Sequence, residues 1–159
     1  MKRNGLVLLG LLLVVGAVNL LIAEKERLLA RGTPMLLELA PVDPRSLIQG
    51  DYMRLDYAIA RQGRDPNAWP RDGHLVVTVD ADDVARFVRR DDGTPLARGE
   101  HLLAYRVRGD DLRVGTDAFY FQEGHADRYA AARYGELRVD DSGTSVLVGL
   151  RDAARQPLR

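Results

Sequence analysis

The 159-residue chain has no cysteine, and its only lysines are Lys2 and Lys25. The lack of cysteine excludes disulfides, thiolate nucleophiles and thiolate-bound metals. The lack of lysine after residue 25 excludes mechanisms in which a lysine activates a serine nucleophile. From residue 32 onwards, 18 Arg are outnumbered by 21 Asp and Glu, a formal charge of −3. Because nucleic-acid binding usually requires a basic surface, we expect no nucleic-acid partner.

A long apolar run near the N-terminus, Gly5–Ala23, contains one polar side chain, Asn19. As a helix it would extend roughly 28 Å, close to the hydrocarbon thickness of a bilayer. The alternative is a cleaved secretory signal, but such a signal has a shorter apolar core, and the bulky Leu21 occupies a position that cleavage requires to be small. We therefore predict an uncleaved transmembrane helix. The basic pair Lys2 and Arg3 predicts a cytoplasmic N-terminus and a C-terminal domain across the membrane.

Residues 32–159 alternate apolar and polar side chains in short runs, which is typical of half-buried β-strands. A first strand is predicted at residues 36–42. A second follows Gly50 and buries alternate side chains, Met53, Leu55, Tyr57 and Ile59. Three hairpins with short polar turns follow, at residues 75–88, 102–121 and 137–150.

These elements predict a mainly β fold, an antiparallel sandwich or small barrel with one short helix, preceded by the N-terminal transmembrane helix. The short helix is expected within residues 125–132, and the apolar helix is expected to continue through Ala30. The predicted division is an N-terminal membrane anchor and flank, residues 1–31, and a single exported β domain, residues 32–159.

Residues 50–57 read Gly-Asp-Tyr-Met-Arg-Leu-Asp-Tyr and contain the pattern G-D-Y-x-x-L-x-Y. Three further stretches occur in the order that such proteins show: residues 39–47, 119–124 and 132–137. The chain thus resembles the GDYXXLXY family of uncharacterised bacterial membrane-anchored proteins. The resemblance implies a bacterial membrane-anchored protein, and with the orientation predicted from Lys2 and Arg3 we expect the helix in the inner membrane and the β domain in the periplasm. It also implies a multi-pass membrane protein as partner, because relatives are neighbours or fusion partners of such proteins. It implies no known activity.

Residues 44–51 loosely resemble the P-T-L-x-x-G-D stretch of type I signal peptidases, which are also membrane-anchored, β-rich and exported. Their serine needs a lysine as general base. The exported domain has no lysine, and the spacing differs by one residue. This pattern therefore does not predict a peptidase.

Candidate binding residues fall in two clusters. In the first, Asp51 and Tyr52 either lock a turn or line a surface cleft, whereas Tyr57 is expected in the core. The second lies where a strand gives way to the short helix, and its candidates are Gln122, Glu123, His125, Tyr129, Arg133 and Tyr134. We predict that the two clusters share one face, which either docks a partner or lines a shallow cleft.

Glu123 and Glu136 are the catalytic candidates, as acid or base. Alternatively, His125 and Glu123 could hold a metal, but a metal needs several converging ligands, and the other two histidines begin separate predicted strands. The structural alternative is that Arg133 forms an ion pair with Glu123 or Glu136. We favour this alternative and assign no metal or cofactor.

Two acidic runs are candidates to bind Ca²⁺, one at Asp80, Asp82 and Asp83 and one at Asp140 and Asp141. Neither fits the twelve-residue calcium loop, which requires ligands at alternating positions and a terminal Glu. Asp, Ser and Gly suit tight turns, so both runs are predicted to be hydrated hairpin turns.

Two functions from different classes remain. The first is an interaction module, an anchored periplasmic β domain that serves as an accessory subunit of a multi-pass membrane assembly. The second is a domain that binds or hydrolyses an envelope glycan or small molecule, using Glu123 with Asp51 or Glu136. Two carboxylates on either side of a cleft would favour the second function.

Overall fold

A computed structural model describes residues 2–40, 48–49, 52–62 and 69–158. The chain begins with α1 (Lys2–Arg31), a single 30-residue helix. Its apolar stretch lies outside the folded body and is long and apolar enough to cross a membrane. This is consistent with single-pass anchoring, and the helix continues past Ala30 as expected.

Short strands form the body. They are β1 (Thr33–Glu38), β2 (Ile48–Gln49), β3 (Tyr52–Arg54), β4 (Asp72–Val79), β5 (Ala85–Arg90), β6 (Glu100–Arg108), β7 (Asp111–Val114), β8 (Ala118–Tyr120), β9 (Tyr134–Val139), β10 (Ser145–Arg151) and β11 (Pro157–Leu158). A 3₁₀ turn (Ala58–Arg61) follows β3, and a short helix, α2 (Ala126–Tyr129), follows β8. The prediction of a mainly β domain behind a long apolar helix is confirmed.

The described strands form three antiparallel sheets, with strand orders β1-β9-β10-β11, β5-β4-β6-β7 and β2-β3-β8. The two four-stranded sheets share one apolar core, because alternate side chains of their strands point inwards. Its fully buried members include Met35 and Leu37 of β1, Leu75 and Val77 of β4, Leu103 of β6 and Leu137 of β9. An isolated parallel bridge between Leu36 and Val84 joins the two sheets at one edge.

The antiparallel pairing of β1 with β9 gives the body two ends. Thr33 lies opposite Val139 next to α1, and we call this the helix end. Glu38 lies opposite Tyr134, and we call this the far end. Six strand residues separate the two ends by roughly 20 Å.

The last turn of α1 packs against the body. Leu28 is buried, and the backbone N–H of Gly32 donates to the Leu28 carbonyl at 2.9 Å. A Cβ at position 32 would lie 2.5 Å from that carbonyl oxygen and 3.1 Å from the Cβ of Arg138. A glycine is therefore needed for this close approach of helix and sheet.

The hairpin predictions agree with the structure at β4–β5, β6–β7 and β9–β10. Two predicted strands were too long. The second strand ends at Arg54, although the alternation of buried and exposed side chains continues to Ile59. The predicted strand at 112–121 is divided into β7 and β8, because Gly115 adopts a positive φ of 61° and the chain then pairs with β3 in another sheet. The end of the first predicted strand, residues 41–42, lies outside the described residues.

Candidate functional site

The first and second sequence clusters meet where β3 pairs with β8. Tyr52 lies opposite Tyr120, with ring centroids 5.7 Å apart and ring planes inclined by 38°. Tyr120 is 76% exposed, more than any other large apolar side chain that the structure describes outside α1. We call this pair of rings the tyrosine patch. Asp51 lies outside the described residues, so Tyr52 alone represents the first cluster in the predicted shared face.

A layer of aromatic rings packs on the opposite face of the β3–β8 pair, behind the tyrosine patch. Tyr129 of α2 is buried, with its ring centroid 5.0 Å from that of Phe119 and 5.1 Å from that of Phe121. Phe119 lies opposite the buried Met53 in the β3–β8 pair. Tyr129 therefore holds α2 onto the sheet as a packing residue, and its ring is not available to a ligand.

The polar candidates of the second cluster lie on the loop between β8 and α2. Gln122 and Glu123 are exposed, and His125 is half-buried. The Gln122 carbonyl accepts from the His125 backbone N–H at 3.1 Å, which closes the loop. Within the described part of the chain, Glu123 takes part in no ion pair, and no group of three metal-ligating side chains converges.

The predicted ion pair of Arg133 with Glu123 or Glu136 is not formed. Arg133 is exposed, and its Nη1 donates to the carbonyl of Ala132 at 3.0 Å. Glu136 instead accepts from Nε of Arg151 at 2.8 Å. The physical reason is that the backbone hydrogen bonds of Arg133 to Arg151 and Leu39 continue the pairing of β9, and in extended chain residues three positions apart point to opposite faces. Tyr134 is half-buried at the start of β9.

Glu136 belongs to a charged cleft of about 450 Å³ between β1, β9 and the β4–β5 turn. The hydrogen bond and the charge of Glu136 raise the pKa of Arg151 above its usual range. Arg155 pairs with Asp82 at 2.8 Å. Glu123 is not among the residues that line this cleft. The structure therefore does not bring the two glutamates together across it, and the alternative pairing of Glu123 with Asp51 lies outside the described residues.

The last tyrosine of the signature, Tyr57, is buried as predicted, with 3% of its surface exposed. Its ring lies against Gly135, where a Cβ would be 3.0 Å from Tyr57 Cε1. Burial, and then the charge of Asp117, raise the pKa of the Tyr57 hydroxyl above its usual range. The signature and the Arg-Tyr-Gly-Glu stretch around Gly135 are thus joined by one packing contact.

A small polar pocket of about 110 Å³ lies beside Tyr57. Arg113 lies in its wall, 3.4 Å from Asp111 and 3.4 Å from Asp117. The Tyr57 hydroxyl and the Nε of Arg113 are buried and have no hydrogen-bond partner among the residues that the structure describes. Buried polar atoms of this kind usually bind ordered water. Sequence reasoning did not single out Arg113 or Arg151. Arg151 acquires its role through Glu136, fifteen residues earlier in the chain, whereas the partners of Arg113 are near in sequence.

The two acidic runs form turns. Oδ1 of Asp80 accepts from the N–H groups of Asp82 and Val84, and Oδ1 of Asp140 accepts from those of Ser142 and Thr144. The hydrogen bonds that Asp80 accepts from Val84, Arg86 and Asp82 lower its pKa, although desolvation partly opposes the shift. Both runs therefore serve the hairpins, as predicted from their composition.

The comparisons with known proteins bear on the family alone. Neither the search of curated proteins nor the search of solved structures found a match. The family model described as "GDYXXLXY protein" matches residues 14–150, which is most of the chain. The chain belongs to the GDYXXLXY family.

Proposed function

We propose that this chain is a membrane-anchored interaction module of the periplasm and an accessory subunit of a multi-pass membrane assembly. In this proposal, residues 5–23 span the inner membrane, the N-terminus is cytoplasmic and the β domain is periplasmic. The observation that carries the proposal is the tyrosine patch, in which Tyr120 is 76% exposed.

The physical argument concerns exposed aromatic surface. A tyrosine ring offers a large apolar area that loses little side-chain entropy on contact, so tyrosine is enriched at the centres of protein interfaces. Tyr52 and Tyr120 lie side by side on paired strands, above the packed rings of Phe119 and Tyr129. This support fixes the patch before a partner arrives, and a preformed surface lowers the entropic cost of association.

The position of the patch defines the kind of partner. Only four residues separate Tyr129 from Tyr134 at the far end of β9, and Tyr129 packs beneath the patch. The far end lies roughly 20 Å along β1 from the end of α1. We therefore expect the patch to contact an extramembrane part of the partner, while α1 lies among or beside the membrane helices.

Site-specific photo-crosslinking tests this function. A photoreactive phenylalanine analogue replaces Tyr120 in the full-length protein in native membranes, and the same analogue replaces Val148, which is 41% exposed on β10, as the control. We expect position 120 to give one main product that contains a multi-pass membrane protein and position 148 to lack it. Identical products at both positions, or none at 120, would contradict the proposal.

The orientation is tested separately. Because the native sequence has no cysteine, an introduced cysteine is the only thiol in the protein that can be labelled. A single cysteine replaces Ala153, which is exposed in the turn after β10. We expect a membrane-impermeant maleimide to label it in spheroplasts. A cysteine in place of Asn4, which leaves the basic pair Lys2 and Arg3 intact, is the control and is expected to react only after the cells are lysed. The reverse pattern would show that the orientation is wrong.

A further inference from the structure

A pocket of about 290 Å³ lies at the helix end of the body. The last two turns of α1 form one wall with Glu24, Arg27 and Arg31, and the β9–β10 turn forms the other with Asp140 and Asp141. A single water needs only roughly 10–15 Å³ of such a volume, so the pocket has room for a polyatomic polar group.

Both walls of this pocket are fixed by packing. On the helix side, Leu28 is buried against the body. On the turn side, the Gly143 carbonyl accepts from the Ala104 N–H at 2.9 Å, and a Cβ at position 143 would lie 2.9 Å from His74 Cδ2. The pocket is therefore preformed.

The charged groups of the pocket do not neutralise one another. In the part of the chain that the structure describes, Arg27, Arg31 and Asp141 take part in no ion pair. Oδ1 of Asp140 is occupied by the turn, which leaves Oδ2 as an acceptor. The helix wall thus offers two guanidinium groups beside the carboxylate of Glu24, and the turn offers carboxylate acceptors.

Helix geometry gives the height of the pocket above the hydrocarbon. If residues 5–23 span the apolar core, Arg27 lies roughly 6 Å and Arg31 roughly 12 Å beyond its edge. The headgroup layer on each side of a bilayer is roughly 5–8 Å thick. Arg27 therefore lies at the level of the phospholipid headgroups, and Arg31 lies roughly 4 Å above them, from where its long side chain can extend back towards the headgroups.

We propose that this pocket binds the headgroup of a bilayer phospholipid that carries a phosphate and a primary ammonium, as in phosphatidylethanolamine. Arg27 and Arg31 donate to the phosphate, and Asp140 and Asp141 accept from the ammonium. This inference rests on the membrane anchoring in the proposed function. The acidic wall disfavours lipids with net negative charge, and a choline headgroup has no N–H to donate.

Bound in this way, the lipid joins the turn of the β domain to the membrane surface. Leu28 already fixes α1 to the body, so the headgroup supplies a second attachment. Two attachments hold the tyrosine patch at a defined height and orientation for its partner.

Lipid retention by the full-length protein tests the proposal. The protein is reconstituted into vesicles of equal parts phosphatidylethanolamine, phosphatidylcholine and phosphatidylglycerol with identical acyl chains, extracted in mild detergent, and its retained lipids are quantified by mass spectrometry. We expect phosphatidylethanolamine to exceed phosphatidylcholine by roughly threefold to tenfold, in line with a few exposed charge-assisted hydrogen bonds. Arg27→Gln with Arg31→Gln should lower retained phosphatidylethanolamine to the level of phosphatidylcholine.

The matched control removes two positive charges elsewhere, through Arg98→Gln with Arg128→Gln, and should retain lipid like the wild type. Asp141→Asn leaves the turn hydrogen bonds of Asp140 intact and should reduce the ethanolamine preference, so the proposal does not depend on one variant. Flotation with vesicles is scored first. A wild-type chain that fails to float contradicts the anchoring, and the pocket proposal falls with it. A chain that floats but retains the three lipids equally, prefers phosphatidylglycerol, or is unaffected by the arginine substitutions overturns the pocket proposal alone.

Discussion

The two ends of the β1–β9 pair differ in chemistry. The helix end presents Arg27 and Arg31 opposite Asp140 and Asp141. The far end leads through α2 to the tyrosine patch, where one ring is 76% exposed. Charged groups suit a headgroup layer, and exposed aromatic rings suit a protein interface. In the proposed function, this difference separates contact with the membrane from contact with a partner within one small domain.

Different contacts stabilise each of the two ends. At the helix end, a polar turn and the carbonyl of Gly143 fix the chain. Beneath the far end, the packing of Tyr57 against Gly135 fixes it.

The largest effect is expected at Tyr57. Tyr57→Ala removes a fully buried ring and should lower the free energy of unfolding by about 3–5 kcal/mol. Gly135→Ala should cost about 1–3 kcal/mol, because its Cβ would lie 3.0 Å from Tyr57 Cε1. Urea unfolding of the full-length protein in detergent measures both.

The double variant serves as the control for that contact. Once the Tyr57 ring is absent, Gly135→Ala should cost at least about 1 kcal/mol less than in the wild-type background. Purely additive costs would show that the signature and the Arg-Tyr-Gly-Glu stretch are not coupled through this contact.

A matched pair of glycines compares the two ends directly. Gly143 in the β9–β10 turn and Gly124 in the loop beside the tyrosine patch both have φ of 82°. A Cβ at 143 would meet His74 and the Ala104 backbone, whereas a Cβ at 124 would meet nothing within 4 Å. Gly143→Ala should cost roughly 2–4 kcal/mol, and Gly124→Ala only the conformational term of roughly 1–2 kcal/mol. Equal losses of unfolding free energy would show that the helix end is no more tightly packed than the far end.

Features that depend on neighbouring residues could be predicted from the sequence. Alternation and Asp-rich or Gly-containing turns identified the hairpins at 80–83, 109–110 and 140–143, and alternation placed Tyr57 in the core. The apolar run identified α1, because its length and composition are sufficient to predict a membrane-spanning helix.

Features that depend on distant pairing could not. The alternation at 112–121 continues past Gly115, so the change of sheet is set by pairing of β8 with β3, over sixty residues earlier in the chain. Arg133 was the expected partner of Glu136, but three positions in a strand reverse the face, and Arg151 on β10 is the neighbour. The two clusters were predicted to share one face, but the cross-strand pairing of Tyr52 with Tyr120 that brings them together could not be read from a single sequence.

The third prediction concerns alkaline pH. Burial raises the pKa of folded Tyr57, so its contribution to stability is present below the unfolded value near 10 and is lost as the pH rises above that value. Tyr57→Phe removes this loss and should gain roughly 1 kcal/mol relative to the wild type between pH 10 and 11. Burial also raises the pKa of Tyr105, but the nearby charge of Arg90 opposes the rise, so Tyr105→Phe should flatten the profile less and supplies the control. Parallel unfolding profiles of wild type and Tyr57→Phe would contradict the assignment.

The smallest change in stability is expected from the two candidate glutamates, and they separate a structural carboxylate from a surface one. Glu136→Gln leaves the partly buried Arg151 without its charge partner and should cost about 1 kcal/mol of unfolding free energy. Glu123→Gln removes no described ion pair, so the midpoint of thermal unfolding should stay within about 1 °C, since surface substitutions usually change stability by less than 0.5 kcal/mol. The same two variants are then crosslinked from position 120. A lower yield for Glu123→Gln at unchanged stability would place its carboxylate in the partner contact beside the tyrosine patch. If Glu123→Gln instead destabilises the domain as much as Glu136→Gln, Glu123 is part of the structure, and the partner surface at the far end is limited to its aromatic rings.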